Sequence, residues 1–242
     1  MVGVRTPQGD IHAPIVILAA GAWATLIAHE SGFNLPVILR PRQSFTTSYR
    51  HAGFTASSPM LIGEPPAPHV RPEAGEGAIF GWEYHWHSKW APELVPNPEH
   101  DAVRLPSDKL NRLKDPRFPS LTLAVLARQF RHGEGEGFND PKYLRGLYHN
   151  IGYYVHRDET AAYIPNPDGS RTPYDSERAI ICPHPEIAGL ILSVAHVGHG
   201  VMTAPAAGEL AAAHALGLPL PHPDYAAFGL DVPYVEYDAP VL

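Results

Sequence analysis

Apolar and polar residues alternate along this chain in two closely similar phrases, one near each end. In the later one, Leu190 to Ala195 is apolar at every position except Ser193, the pattern of a strand buried on both faces. Gly198 and Gly200 follow, permitting a backbone path that side chains would obstruct, so this turn can approach something flat or charged. From Val201, the run containing Ala204, Ala206, Ala207, Gly208, Leu210, Ala211, Ala212, Ala213 and Ala215 predicts a helix of little bulk, ending at Gly217 before Pro219. Its start would offer unbonded N–H groups to an acceptor. The earlier phrase repeats the plan: Ile15 to Ala20 is apolar, Gly21 breaks it, and Ala22 to Gly32 predicts a short helix.

Between these phrases the pattern changes. Ser44 to Tyr49, Met60 to Gly63 and Ala78 to His85 read as strands of an antiparallel sheet. Ser107 to Leu113, behind a serine cap, and the amphipathic stretch Leu121 to Phe130 read as helices, and Gly133 to Gly137 as a turn. Trp82, Tyr84, Trp86 and Trp90 alternate with Glu83, His85 and His87, placing aromatics on one strand face as core or as a pocket wall. The 27 prolines cluster at Pro59 to Pro72, Pro92 to Pro98, Pro165 to Pro173 and Pro219 to Pro223, which predicts loops there. Pro221 to Leu242, with Tyr225, Phe228, Tyr234 and Tyr237, predicts an extended tail packed on the surface.

Composition narrows the function classes. A chain of 242 residues can bury a sizeable core in one domain or two. A net charge of −7 argues against nucleic acid as a partner, because phosphate binding needs a clustered positive face. No run approaches the roughly 20 apolar residues that span a bilayer, and no signal-peptide pattern opens the chain. With Cys182 as the single cysteine, no internal disulfide can form. A reducing, cytoplasmic setting is the expectation. The 15 histidines include His85, His87, His196 and His199 at close spacing, but no HExxH motif or Cys/His cluster accompanies them, so no metal site is expected.

The phrases Ala19-Ala-Gly-Ala-Trp23, Leu35-Pro-Val-Ile-Leu-Arg-Pro-Arg-Gln43, Val70-Arg-Pro72, Gly77-Ala-Ile-Phe-Gly81, Thr172 to Pro185, Gly189-Leu190, Gly198-His-Gly200 and Ala204-Pro-Ala-Ala-Gly208 stand in an order that resembles the FAD-dependent oxidoreductases related to D-amino-acid oxidase, sarcosine oxidase and glycine oxidase. The fold this implies is α+β. An incomplete FAD-binding α/β layer would be made of residues 1–35 and 172–218, a substrate-type domain with an antiparallel sheet of 36–171, and a tail of 219–242. The resemblance implies amine or amino-acid oxidation with non-covalent FAD, since Gly146 stands where some relatives carry the attaching cysteine. It places Ala20, Gly21, Ala22 and Trp23, and the backbone of Gly198, His199, Gly200, Val201 and Met202, at the cofactor. There, N–H dipoles would stabilise charge on the reduced flavin. No residue is singled out as catalytic, and His199 reads as a packing or hydrogen-bonding residue.

Two departures shape the expectation. Sarcosine-oxidase-like members often hold the substrate carboxylate with a lysine where this chain has Met202, which leaves Arg40, Arg42 and Arg71 as candidates by charge and admits a secondary amine as substrate. The G-x-G-x-x-G turn that grips the FAD pyrophosphate in full members is missing from the sequence. A truncated or split member is therefore expected, its N-terminal half supplied by another chain and FAD retention by this chain alone impaired. The rival is a non-catalytic remnant or interaction protein that keeps the second half of the fold.

Overall fold

In chain order the elements are β1 (Gly3–Thr6), β2 (Gly9–His12), β3 (Val16–Leu18), α1 (Ala24–Glu30), β4 (Val37–Thr47), β5 (Leu61–Ile62), β6 (His69–Pro72), β7 (Ala78–Trp82), α2 (Phe118–Gln129), β8 (Tyr148–Arg157), β9 (Ile180–Pro183), β10 (Leu190–Val194) and α3 (Gly200–Leu216). This computed structural model describes residues 3–62, 67–73, 75–82, 110–157 and 178–230. The described residues fall into two compact units, 3–40, 154–157 and 178–230 in the first, and 41–62, 67–73, 75–82 and 110–153 in the second. The class is mixed α+β, as the family resemblance implies.

In the first unit β3, β10 and β9 form a three-stranded sheet in that order. β3 and β10 run parallel, with Val16 opposite Leu190 and Leu18 opposite Leu192, while β9 is antiparallel to β10. Register partners share a face, so Ile17, Ile191, Ser193, Ile181 and Pro183 line one side of this sheet. α3 covers that side over β9 and β10, its Ala207, Leu210 and Ala211 packing with Ala179 and Ile181. Small residues permit the close approach, and Gly217 closes the helix in the left-handed conformation (φ 65°) that its position predicts. Tyr225 and Phe228 add to this core from a 3₁₀ turn at Pro223–Phe228, so this part of the tail is coiled rather than extended. β1 and β2 form a hairpin whose turn is tied by the Thr6 hydroxyl, which donates to the Gly9 carbonyl at 2.8 Å and accepts from the Gln8 N–H at 3.2 Å.

The second unit is built on the antiparallel part of a five-stranded sheet in the order β5-β6-β7-β4-β8. Phe45, Val70, Ala78, Phe80, Phe118, Leu123, Leu126, Phe138 and Tyr143 form its core, with Phe45 and Phe80 stacked 4.6 Å apart across the β4–β7 pair. Pro72 ends β6 as a paired strand residue opposite Ala78, so the Pro59 to Pro72 cluster does not exclude a strand as composition suggests. α2 begins at Phe118, three residues before the predicted start, and the described end of the Ser107–Leu113 segment is a 3₁₀ turn at Leu110–Leu113. The expectations for Glu83 to Trp90, for Thr172 to Ser176 and for the tail beyond Leu230 fall outside the described residues.

Candidate cofactor site at the strand ends

Because β3 and β10 are parallel neighbours, the segments that follow them leave the same edge of the sheet. In open α/β sheets, ligands bind outside the carboxyl ends of the strands. Ala20, Gly21, Ala22 and Trp23 lie at one of these ends, in a 3₁₀ turn at Gly21–Trp23 that runs into α1. Gly21 takes φ +55°, a conformation that favours glycine, and the Trp23 side chain is 59% exposed. Gly198, His199, Gly200, Val201 and Met202 lie at the other end, as the last turn residues and the first turn of α3.

The turn between β10 and α3 is conformationally strained. Ala195 and Val197 both adopt positive φ, at 62° and 52°. For a β-branched valine this is an unusual state, and each such residue costs on the order of 1–3 kcal/mol. Contacts among the described residues hold the turn in place. The Val197 N–H donates to the Val155 carbonyl at 3.1 Å, and the Tyr154 ring lies so close to Gly198 that a Cβ there would meet it at 2.8 Å. Gly200 is nearly as confined, since its Cβ would stand 3.1 Å from Cβ of His196. His196 turns its ring inward to Oγ of Ser193 at 3.0 Å, and burial, opposed by a hydrogen bond with the Ser193 backbone, draws its pKa below the ordinary histidine value. Strain sustained by its surroundings is typical of backbone shaped for a ligand.

What the turn presents is backbone. His199 caps α3 without a side-chain hydrogen bond, and the first bond of the helix is from the Thr203 N–H to the His199 carbonyl at 3.1 Å. The amides of Gly200, Val201 and Met202 precede any helical acceptor, so the positive end of a 17-residue helix is open there. Val201 is 91% exposed and Met202 74%, an apolar surround beside free N–H donors. A flat group with an apolar body and a polar, electron-rich edge fits this set. Among the described residues, no group of three His, Cys, Asp or Glu side chains is placed to hold a metal ion.

The sequence pattern of the FAD dependent oxidoreductases matches residues 1–214. The chain belongs to this family. Solved structures of the same fold include L-proline dehydrogenase from P. horikoshii, at 20% identity and a TM-score of 0.57, with 95% of this chain covering 50% of that one. Glycine oxidase from Geobacillus kaustophilus matches at 16% identity and a TM-score of 0.52, over 93% of this chain and 47% of that one. Fructosyl peptide oxidase from E. terrenum gives 16% identity and a TM-score of 0.59, over 96% and 48%. The chain thus spans about half the length of these flavoenzyme folds. No curated protein matches it.

The arginines considered for a carboxylate are differently disposed. Arg71 pairs with Glu73 at 2.9 Å on the surface, and Arg42 is buried with Nη1 donating to the Pro41 carbonyl. Arg40 is a partly buried residue of β4. Cys182, the single cysteine, is buried in β9.

Three polar arrangements escape a sequence reading. Arg157 is fully buried and donates from Nε to the Arg178 carbonyl at 2.7 Å, from Nη2 to those of Ala179 and Gly229 at 2.8 Å each, and from Nη1 to that of Leu230 at 3.3 Å. In the second unit, buried Gln43 accepts at Oε1 from the Asp115 N–H at 2.8 Å and faces Nε2 of His149 at 2.9 Å, while the His149 ring stacks on Phe118. Also there, buried Tyr143 shares its hydroxyl with the His51 N–H at 3.1 Å and with Nδ1 of His51 at 2.8 Å. Each joins residues far apart in the chain, and no periodicity marks them.

Proposed function

We propose that this chain contributes the second half of an FAD-dependent oxidoreductase acting on amines or amino acids. The observation that carries it is the parallel pairing of β3 with β10, which brings the Gly21–Trp23 turn and the glycine turn before α3 to the same sheet edge. FAD, when bound, supplies a hydride acceptor for the carbon that bears the substrate nitrogen, and the resulting imine hydrolyses in water. The amides of Gly200, Val201 and Met202 provide fixed positive dipoles where electron density accumulates. Gly198 gives close backbone approach, and Tyr154 and the Val155 carbonyl keep the turn in its strained shape. Gly146 offers no thiol where some relatives carry the attaching cysteine, which favours non-covalent binding. With methionine at 202, an uncharged secondary amine suits the site better than a group that needs a cation.

The test is optical. Purified protein is titrated with FAD and, once loaded, offered secondary amines and amino acids without oxygen. The expected result is a perturbed flavin spectrum that bleaches with a substrate whose amine is neutral, faster as pH rises. A spectrum identical to that of free flavin at every concentration would overturn the proposal.

A further inference from the structure

His196 stands between the two strained residues of the turn before α3, Ala195 at φ 62° and Val197 at φ 52°. Neither alanine nor valine favours that state, so the turn keeps its shape through the contacts of its neighbours. His196 contributes in both directions. Its ring reaches back three residues, where Nε2 faces Oγ of Ser193 at 3.0 Å. Its carbonyl reaches forward and accepts the His199 N–H at 3.2 Å. Its Cβ stands beside Gly200, the first residue of α3, so closely that a Cβ on Gly200 would meet it at 3.1 Å. Ser193 is the one polar residue of Leu190–Val194, and its hydroxyl has His196 as partner.

Resting on the function proposed above, we infer that His196 is a positioning residue for the cofactor, whose bond to Ser193 holds the open amides of Gly200, Val201 and Met202 in one arrangement. The connection is continuous. Ser193 bonds the His196 ring, the His196 carbonyl takes the His199 N–H, and the His199 carbonyl takes the Thr203 N–H at 3.1 Å, which leads from the interior of β10 into the first turn of α3. Donors aimed at developing charge are effective because they need no rearrangement when the charge appears. Freeing the ring at the strand end of this series lets the donors at the helix end move. A ring that served only to fill space could be replaced by any side chain of its volume, whereas a ring that positions the turn needs its hydrogen bond.

Variants of the full chain separate the bond from the bulk. Ser193→Ala and His196→Phe each remove the hydrogen bond and nearly keep the volume, while His196→Gln keeps a polar nitrogen at similar reach. Hydrogen exchange follows the amides of Val197, His199 and Thr203 without cofactor, and quenching of flavin fluorescence gives the Kd for FAD. The expected result is exchange about tenfold faster at these amides in Ser193→Ala and in His196→Phe, the worth of one hydrogen bond, with Leu192 in β10 unchanged. The double variant should be no worse than either single one, because both remove the same bond. FAD should bind about tenfold more weakly to the same variants, and His196→Gln should restore both exchange and affinity. Three outcomes overturn the inference: unaltered exchange in Ser193→Ala and His196→Phe, faster exchange that extends equally to Leu192, or FAD bound equally by every variant. A wild-type chain that binds no FAD removes the function proposed above, and the exchange rates then decide by themselves whether His196 holds the turn.

Discussion

The Tyr154 ring occupies the space that a side chain on Gly198 would need, with its Cε2, Cζ and Oη each 2.8 Å from the position of a Cβ there. Gly198→Ala should therefore destabilise the first unit by about 1–3 kcal/mol, the usual cost of overpacking. Tyr154→Ala in the same chain should recover most of that loss, and urea unfolding of the two single variants and the double variant measures the coupling. Additive losses would show that the ring is not what forbids a side chain at 198.

Arg157 is the larger liability. Its guanidinium satisfies the carbonyls of Arg178, Ala179, Gly229 and Leu230, joining the entry to β9 with the segment after Phe228. Hydrogen bonds to a charged donor contribute about 1.5–3 kcal/mol each, and their loss leaves buried carbonyls unsatisfied. Arg157→Met should cost about 3 kcal/mol or more. Arg157→Lys should fall between, since one ammonium cannot span four acceptors. Thermal melting of both variants gives the order, and equal losses would contradict it.

Gln43 is a smaller hinge of the same kind. Gln43→Leu keeps the volume but leaves the Asp115 N–H and Nε2 of His149 without their common acceptor, an expected loss of about 1–3 kcal/mol. Denaturant unfolding checks this, and a neutral variant would mean that both donors find other partners.

Acid should weaken the fold through its histidines. Burial holds the pKa of His51, His149 and His196 below the ordinary value near 6.5, with His132 adding to the effect at His51 and Lys114 at His149. Below about pH 6.5 the unfolded chain takes up protons that the folded chain resists, so stability falls as pH drops through that range and levels off below the folded values. Melting at about pH 7.5 and about pH 5 should differ, and His51→Gln should narrow the gap. A melting temperature independent of pH would remove this account.

Alkali acts through two tyrosines of the second unit. Tyr49 is pushed up to about 12, first by its hydrogen bond to Asp140 at 2.7 Å, and Tyr143 to about 12, first by burial. Both contributions are complete below about pH 10 and are lost as pH rises through about 12. Tyr143→Phe should start less stable at neutral pH and lose less above pH 10, as ultraviolet titration with unfolding would record.

Much of the first unit could be read from residue order because its determinants are local. The apolar run of β10, the small residues of α3 and Gly217 each declare themselves within a few positions. Arg157, Gln43 and Arg50 do not. Arg50 donates to the carbonyls of Glu73, Gly75 and Gly77, more than twenty positions away, and in sequence it looks like any charged residue beside a loop. Proline misled in the other direction: Pro72 ends a strand inside the Pro59 to Pro72 stretch, where composition alone predicts a loop. The turn before α3 was legible as glycine, but the positive φ of Ala195 and Val197 was not, since neither residue type asks for it.

Pro205 lies inside α3, four residues beyond Val201. Lacking an N–H, it cannot bond the Val201 carbonyl. That carbonyl points along the axis toward the C-terminus, away from the amides of Gly200, Val201 and Met202, so the proline leaves the mouth of the helix a surface of donors alone.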